Sequence, residues 1–220
     1  MKRIKIMLLV AVLFVNLINV AISEQSKEIL FRGVSWGSTY NDVISMLLAD
    51  WGVRFHEGEV IRPRKIRSLI KNNWSDYYDY QCGYYTYLAK GKDVKQVAGY
   101  DVDNVKLYFA FIPDDQGEIE QTPSRTSFYL GQYTIEPKDL YAVYEDLKVK
   151  LSSLYGQPAK ERSDGFIIHY KYCYWYGLND TMVVVVTDDN WDKIYINYVW
   201  NKGDDLLSIA NMRMLLSLYK

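Results

Sequence analysis

The run from Pro137 to Pro158 constrains the fold of this chain more than any other stretch. Its apolar residues recur three or four positions apart, as on one face of an α-helix; they are Leu140, Val143, Tyr144, Leu147, Leu151, Leu154 and Tyr155. Pro137 suits a first helical position, and Gly156 before Pro158 suits a helix end. Asp146 can pair with Lys150 one turn later. The pattern predicts an amphipathic helix of about five turns, whose apolar stripe needs a sheet to pack against.

Segments on both sides of this helix alternate between apolar and polar residues, which is typical of strands. The predicted strands are 80–88, 94–100, 105–112, 128–135, 166–176, 181–187 and 193–200. Turn residues separate most of them, which favours antiparallel pairing. Four consecutive valines in 181–187 indicate a strand buried on both faces. The predicted fold class is therefore α+β, with antiparallel β-meanders packed against amphipathic helices.

Several further elements follow from the same patterns. Amphipathic helices are predicted from Tyr40 to Trp51 and from Leu206 to Leu218, and a short helix over Ile66 to Ile70 after Pro63. Residues 29–36 suit a short strand or an extended entry, and 160–164 a charged connection. The element order suggests two similar helix-plus-sheet halves, 29–135 and 136–220, which can share one sheet or carry two.

The first 23 residues have the composition of a secretory signal peptide. Basic residues precede an apolar run from Ile6 to Val20, and Ala21 and Ser23 are small residues at the positions expected before a cleavage site. A transmembrane anchor is the alternative, but the run is shorter than the ~20 residues of a span. We expect an exported chain that begins at Glu24, forms a single domain over 24–220 and has no transmembrane span after cleavage.

Charge and motifs argue against several classes of function. Removing the leader takes away three basic residues and leaves 23 basic against 27 acidic ones, a balance that does not predict nucleic-acid binding. The chain has no P-loop, dinucleotide-binding or nucleophile-elbow motif. Its histidines, His56 and His169, lack metal-ligand spacing. The aspartate pairs 114–115 and 188–189 fall between strands, where aspartate is an ordinary turn residue. We predict no catalytic residue, metal or cofactor.

Two cysteines remain, Cys82 and Cys173. An even count in an exported protein is compatible with a disulfide. The strand pattern places Cys82 on a more apolar face than Cys173, whose face is mixed. We therefore predict two free thiols.

Two groups of residues are candidates for binding. The first is a basic segment that could bind an anionic polymer, although nearby acidic residues could neutralise it; its members are Arg62, Arg64, Lys65, Arg67 and Lys71. The second is tyrosine: of 21 in the chain, Tyr170, Tyr172, Tyr174 and Tyr176 share one side of a predicted strand, with Trp175 on the other. Tyrosine suits recognition of proteins or sugars, and equally the boundary of a helix-covered sheet.

Two short motifs resemble those of small exported bacterial proteins of unassigned function and, more distantly, domains of the SmpA/OmlA and beta-lactamase-inhibitor-like type. They are W-G-S-T-x-x-D-V from Trp36 to Val43 and L-x-x-L-Y-G-Q-P from Leu151 to Pro158. The resemblance implies non-catalytic binding to other proteins in the envelope or outside the cell, and assigns no functional residue.

The leading hypothesis is an exported, non-catalytic binding protein whose partner is another envelope or extracellular protein. One alternative is a cell-envelope hydrolase whose paired carboxylates are brought together only by the fold. Another is an anionic-polymer binder that uses the basic segment from Arg62 to Lys71.

Overall fold

The structure is a computed structural model. It describes residues 27–52, 55, 58–61, 65–70, 73–78, 86–91, 96–112, 116, 120–164, 170–189 and 192–200. The predicted signal peptide, His56, Cys82, Asp114, Asp115, His169 and the predicted helix from Leu206 to Leu218 lie outside these residues.

Eight strands form one antiparallel sheet, and four shorter ones form two separate hairpins. The strands are β1 (Glu59–Ile61), β2 (Lys65–Ile70), β3 (Asn73–Tyr78), β4 (Thr86–Gly91), β5 (Gln96–Val97), β6 (Tyr100–Asp101), β7 (Asn104–Phe111), β8 (Thr126–Ile135), β9 (Lys160–Asp164), β10 (Tyr170–Tyr176), β11 (Thr181–Asp188) and β12 (Lys193–Trp200). The order in the large sheet is β1-β4-β7-β8-β12-β11-β10-β9, and β2 pairs with β3 and β5 with β6. The α+β class with antiparallel sheet is thus confirmed. Pairing of β8 with β12 joins strands from both predicted halves in one continuous sheet.

Two helices accompany the sheet, and local sequence signals set their ends. Helix α1 spans Tyr40–Trp51, with the Thr39 side chain as N-cap and a left-handed Gly52 at its end. Helix α2 spans Leu140–Tyr155, and the carboxylate of Asp139 accepts a hydrogen bond from its first turn. Pro137 therefore lies before the N-cap and not at the first helical position, because the aspartate supplies the cap.

Both helices pack on the same side of the sheet, which we call the first face. Helix α1 contributes Val43 and Leu47 to this core, and α2 contributes Tyr144, Leu147 and Leu151. The helix predicted between Pro137 and Pro158 is confirmed, and so is the packing of most of its apolar stripe against the sheet. Leu154 is an exception at 67% exposure, because it lies at the last turn of α2 and points away from the sheet.

The N-terminal segment 29–34 completes the first-face core. Ile29, Phe31 and Val34 are all buried there, and the segment forms isolated bridges rather than a strand. The ring of Phe31 stacks on Tyr133, with centroids 5.0 Å apart, directly above Gly131 of β8. The predicted extended entry is therefore a structural part of the core.

Three predictions of local structure are wrong. The segment 94–100, predicted as one strand, instead contains the short strand β5, a turn at Ala98 and Gly99, and the start of β6, which pairs back on β5. Ile66 to Ile70, predicted as a short helix, belongs to strand β2, because every residue of β2 pairs with one of β3. The connection 160–164 is the edge strand β9, paired with β10. Its sequence Lys-Glu-Arg-Ser-Asp is unusual for a strand but suits an edge, where charged side chains discourage pairing with a further chain. Among the residues described, no helix is long and apolar enough to cross a membrane.

Candidate functional site

The side of the sheet opposite to the two helices, which we call the second face, carries its own apolar cluster. Its buried members are Tyr108, Tyr129, Leu130, Tyr174, Met182, Val184, Val186 and Val199, each at most 8% exposed. Neither α1 nor α2 contributes a residue to this cluster. The second face is therefore the part of the sheet that the described helices leave for other contacts.

A row of tyrosines runs along this face on β10. Tyr172 and Tyr174 are stacked, with ring centroids 6.5 Å apart and planes 7° apart, and Tyr176 meets Tyr174 edge-on at 5.2 Å. Burial and the neighbouring Tyr176 raise the pKa of Tyr174 to about 12. Trp175 lies in the first-face core. The predicted alternation of tyrosine and tryptophan is therefore confirmed for these residues.

The row passes from the interior to the surface at the turn between β10 and β11. Tyr174 is buried, whereas Tyr176 is 50% exposed and Leu178 in the turn is 47% exposed. Asn179 and Asp180 both have positive φ angles of 56°, which is the conformation of a type I′ hairpin turn. The exposed aromatic and apolar side chains are thus held on a tight turn.

Hydrogen bonds fix this turn to the body of the protein. The backbone N–H of Leu178 donates to the carbonyl of Lys27 at 3.1 Å, and that of Gly177 to the carbonyl of Thr181 at 2.8 Å. The Thr181 hydroxyl donates to the Leu178 carbonyl and accepts from the N–H of Ile29. The turn is consequently anchored both to its own strands and to the N-terminal segment.

A second feature of the face is a buried pair of amides, Gln132 on β8 and Asn197 on β12. The two are cross-strand partners, 1% and 0% exposed, and the Gln132 amide donates to Asn197 Oδ1 at 2.7 Å. Gln132 Oε1 and Asn197 Nδ2 have no hydrogen-bond partner among the described residues. Exchanging oxygen and nitrogen in both amides leaves the same result: one unpaired acceptor and one unpaired donor.

The amide pair belongs to the centre of the second face. Leu130 lies two residues before Gln132 on β8, and Val184 is the cross-strand neighbour of Asn197; both belong to the second-face cluster. An unsatisfied buried polar group costs about 1–3 kcal/mol. The pair therefore places two amide atoms without a protein hydrogen-bond partner among the described residues at the apolar centre of the second face.

The thiol of Cys173 is poorly suited to nucleophilic chemistry. Cys173 is free, as predicted, and it is fully buried on the first face, while Cys82 lies outside the described residues. Burial raises the pKa of the Cys173 thiol to about 11, so the thiol stays protonated at neutral pH. Burial, followed by the interaction with this thiol, also raises the pKa of Tyr144.

Charged residues cluster where α2 meets the sheet edge. Lys148 forms ion pairs with Glu145 at 2.5 Å and with Glu161 of β9 at 2.8 Å, and hydrogen bonds with both carboxylates raise the pKa of Lys148. The ammonium of Lys171 lies 4.7 Å from the ring centre of Tyr141. These contacts join α2 to β9 and β10 and are worth little individually at an exposed site.

The predicted Asp146–Lys150 pair of α2 is present, at 2.7 Å. Hydrogen bonds from Lys150 and from Tyr100 lower the pKa of the Asp146 carboxyl. A general acid needs a carboxyl pKa shifted in the opposite direction. No group of three or more His, Cys, Asp or Glu side chains that could hold a metal occurs within the described part of the chain.

The structure places the predicted binding residues in different regions. Tyr172 and Tyr174 lie on the second face, and Tyr170 begins the same strand. Lys65 and Arg67 lie in β2 of the separate hairpin, and the remaining basic residues fall outside the described residues: Arg62, Arg64 and Lys71. Anionic-polymer binding through this segment stays a prediction.

The amide pair was not predicted from the sequence, although each member is an amide residue that follows a run of apolar or aromatic residues. Gln132 follows Tyr-Leu-Gly, and Asn197 follows Ile-Tyr-Ile. That they meet depends on the register of β8 against β12, which sequence periodicity does not give.

Comparison with known proteins adds no relative: no family model, curated protein or solved structure matches this chain. The resemblance to domains of the SmpA/OmlA and beta-lactamase-inhibitor-like type therefore rests on the two short sequence motifs alone.

Proposed function

We propose that this protein is an exported, non-enzymatic binding protein that recognises another protein of the envelope or the extracellular space. The observation that carries the proposal is the exposed end of the tyrosine row, where Tyr176 and Leu178 stand on the tight turn between β10 and β11. A tyrosine presents a large contact area with only two side-chain torsions to immobilise, so it suits the centre of a protein–protein contact.

Rigidity of the turn supports a binding role. Binding loses free energy when it must order flexible loops and side chains. The positive φ angles of Asn179 and Asp180 and the hydrogen bonds to Lys27 and Ile29 hold this turn in one conformation before any partner arrives. Tyr176 also packs edge-on against Tyr174, which restricts its ring. The surface is thus pre-organised.

The chemistry of the other described groups supports a non-enzymatic function. The Cys173 thiol is buried and its pKa is raised, and the pKa of the Asp146 carboxyl is lowered. These directions are opposite to those that activate a nucleophilic thiol or a general acid.

The test is capture of a partner from the secreted or envelope fraction by immobilised wild-type protein and by matched variants. The variant Tyr176→Ser with Leu178→Ser should capture at least tenfold less partner than the wild-type protein does. The control variant, Val149→Ser with Leu154→Ser, removes apolar side chains that are at least as exposed, on α2, and should capture as much as wild type. Thermal unfolding of both variants confirms that the fold is retained.

Two results would overturn the proposal. Equal capture by the turn variant and the control would show that the β10–β11 turn is not the binding surface. Recovery of the chain only in the cytoplasm, or with Met1 to Ser23 retained in a membrane fraction, would contradict export and cleavage.

A further inference from the structure

The hairpin formed by β5 and β6 is separate from the large sheet and packs on its first face. Its strands pair at only two positions, Gln96 with Asp101 and Val97 with Tyr100. The turn between them, Ala98–Gly99, has positive φ angles of 51° and 86°, a conformation that alanine rarely adopts. A two-stranded hairpin is marginally stable at best by itself. Its position therefore depends on its contacts with the rest of the protein.

Apolar contacts hold the hairpin only in part. Val97, Tyr100 and Val102 pack against the first-face core but remain partly exposed. The hairpin joins β7 through Asp103, whose backbone N–H donates to the carbonyl of Thr134 on β8 at 2.9 Å. The pairing of the large sheet includes neither β5 nor β6. The hairpin can consequently move about this point without breaking the pairing of the large sheet.

Polar contacts with α2 hold the turn of the hairpin. The Lys150 ammonium donates to the Ala98 carbonyl at 2.9 Å and lies 4.7 Å from the ring centre of Tyr100. The Tyr100 hydroxyl donates to Asp146 Oδ2 at 2.5 Å. Because the side chains of Lys150 and Asp146 are 44% and 42% exposed, each of these contacts adds little to stability.

Arg32 holds the start of the hairpin from the N-terminal segment. Its Nη2 donates to the Gln96 carbonyl and its Nε to the Tyr133 hydroxyl, both at 3.1 Å. Arg32 is exposed and has a positive φ angle of 54°, which is uncommon for a residue other than glycine. A single exposed side chain thus connects the hairpin to a buried tyrosine of the sheet.

Tyr133 belongs to a group of three neighbouring tyrosines on the first face, with Tyr155 of α2 and Tyr198 of β12. The rings of Tyr133 and Tyr198 meet edge-on, with centroids 6.1 Å apart, and the hydroxyls of Tyr155 and Tyr198 are hydrogen-bonded to each other. Burial raises the pKa of all three hydroxyls. This tyrosine group is therefore a polar feature of a face that is otherwise apolar.

We propose that the β5–β6 hairpin is a strap that opens and closes over the first face while the large sheet stays folded. Arg32 and Lys150 hold the closed state that the structure shows. When the strap opens, the carbonyls of Gln96 and Ala98 leave these two side chains, and the tyrosine group becomes accessible from solvent. A local opening of this kind requires no unfolding of the sheet. The device is separate from the proposed binding turn between β10 and β11.

Native-state hydrogen exchange of the full chain, read at each amide by NMR, tests the opening. Amides of residues 96–101 should be protected relative to an unfolded peptide, but at least about a hundredfold less than those of β8 and β12. Lys150→Met keeps the apolar stem and Arg32→Asn tolerates a positive φ angle. Each should speed exchange in the hairpin about two- to fivefold and leave β8 and β12 unchanged.

The matched control is Lys148→Met on the same helix, because Lys148 pairs with Glu145 and Glu161 and not with the hairpin. It should leave exchange in the hairpin unchanged. An equal effect of Lys148→Met and Lys150→Met would show that only the helix is perturbed. Hairpin amides as protected as those of β8 would mean that the strap opens only when the protein unfolds, and a lack of any protection would mean that no closed state exists.

Hydroxyl-radical labelling of tyrosines, located by mass spectrometry, tests what the strap covers. The double variant Arg32→Asn with Lys150→Met should raise labelling of Tyr133 and Tyr198 at least about twofold, since the effects of the two separate contacts add. Labelling of Tyr108, which is buried on the second face, should not change. Unchanged labelling of Tyr133 and Tyr198 would show that the strap does not control access, and a parallel rise at Tyr108 would mean that the whole sheet has loosened.

Discussion

The contact between Phe31 and Gly131 offers the sharpest test of how the N-terminal segment is built into the core. A Cβ added at Gly131 would overlap Cγ and Cδ2 of Phe31 and lie 2.7 Å from its Cε2. The ring has no room to retreat, because it is fully buried and contacts Phe128, Tyr133 and Tyr198. Gly131→Ala must therefore displace the segment from β8 or distort the strand.

The expected energies follow from this geometry. Overpacking a core costs about 1–3 kcal/mol, and we expect the upper end here because three aromatic rings confine Phe31. Phe31→Ala should cost about 3–5 kcal/mol by itself. In the Phe31→Ala background the clash is gone, and Gly131→Ala should be neutral or stabilise by about 0.5–1 kcal/mol, since alanine is favoured over glycine inside a strand. The coupling energy between the two sites should thus be about 3 kcal/mol.

Urea unfolding of the four proteins, followed by tryptophan fluorescence, measures this coupling. If Phe31→Ala is too unstable to study, Phe31→Leu removes the ring while it retains more of the packing. Gly52→Ala is the matched control, because Gly52 has a positive φ angle but no atom within 4 Å of the added Cβ, so its cost should add to that of the Phe31 variant. A cost of Gly131→Ala below about 1 kcal/mol, or the same cost with and without Phe31, would refute the close approach.

Three further predictions concern stability and reactivity. Leu147→Ala should destabilise the protein by about 2–5 kcal/mol in urea unfolding, whereas Leu154→Ala, at a largely exposed position, should change stability by less than about 0.5 kcal/mol; similar costs would contradict the packing of α2. Burial raises the pKa of Tyr133 to about 12, so the neutral form is favoured in the folded state. The stabilisation from Tyr133 is complete below pH 10 and should fall by about 3 kcal/mol as the pH rises through 12. Tyr133→Phe should remove this loss of stability. An unchanged dependence of stability on pH in the variant would refute the raised pKa of Tyr133. Cys173 should resist a thiol reagent in the native protein and react after unfolding, whereas rapid labelling of Cys173 in the native state would show that it is accessible.

Much of the secondary structure was predictable because local residues decide it. Helix α1 begins and ends at the residues predicted, since Thr39 caps it and Gly52 adopts the left-handed conformation that ends it. The strands 193–200 and 181–187 were predicted to within a residue, because long alternating or continuous apolar runs have few other stable structures. The alternation of β10 likewise placed Tyr172 and Tyr174 on one side.

The errors fall where pairing with distant residues outweighs local preference. Ile66 to Ile70 has helical spacing of apolar residues, yet hydrogen bonds to β3 hold it as a strand. The charged segment 160–164 is a strand only because β10 offers its edge. Neither pairing strand can be identified from the segment's own residues. The intrinsic strand propensity of a residue has less effect than its packing and pairing in the folded sheet.

The sequence alone determined that this chain forms amphipathic helices and antiparallel strands, because capping residues, turn residues and hydrophobic period act over a few neighbouring positions. Only the tertiary structure decided that one sheet continues through both halves, that both described helices lie on its first face, and that Gln132 meets Asn197 across 65 residues of chain. Those outcomes depend on strand order and register, which are set by how distant surfaces pack together to exclude water. The candidate site belongs to this second category, since it arises from a face of the sheet and not from a motif in the chain.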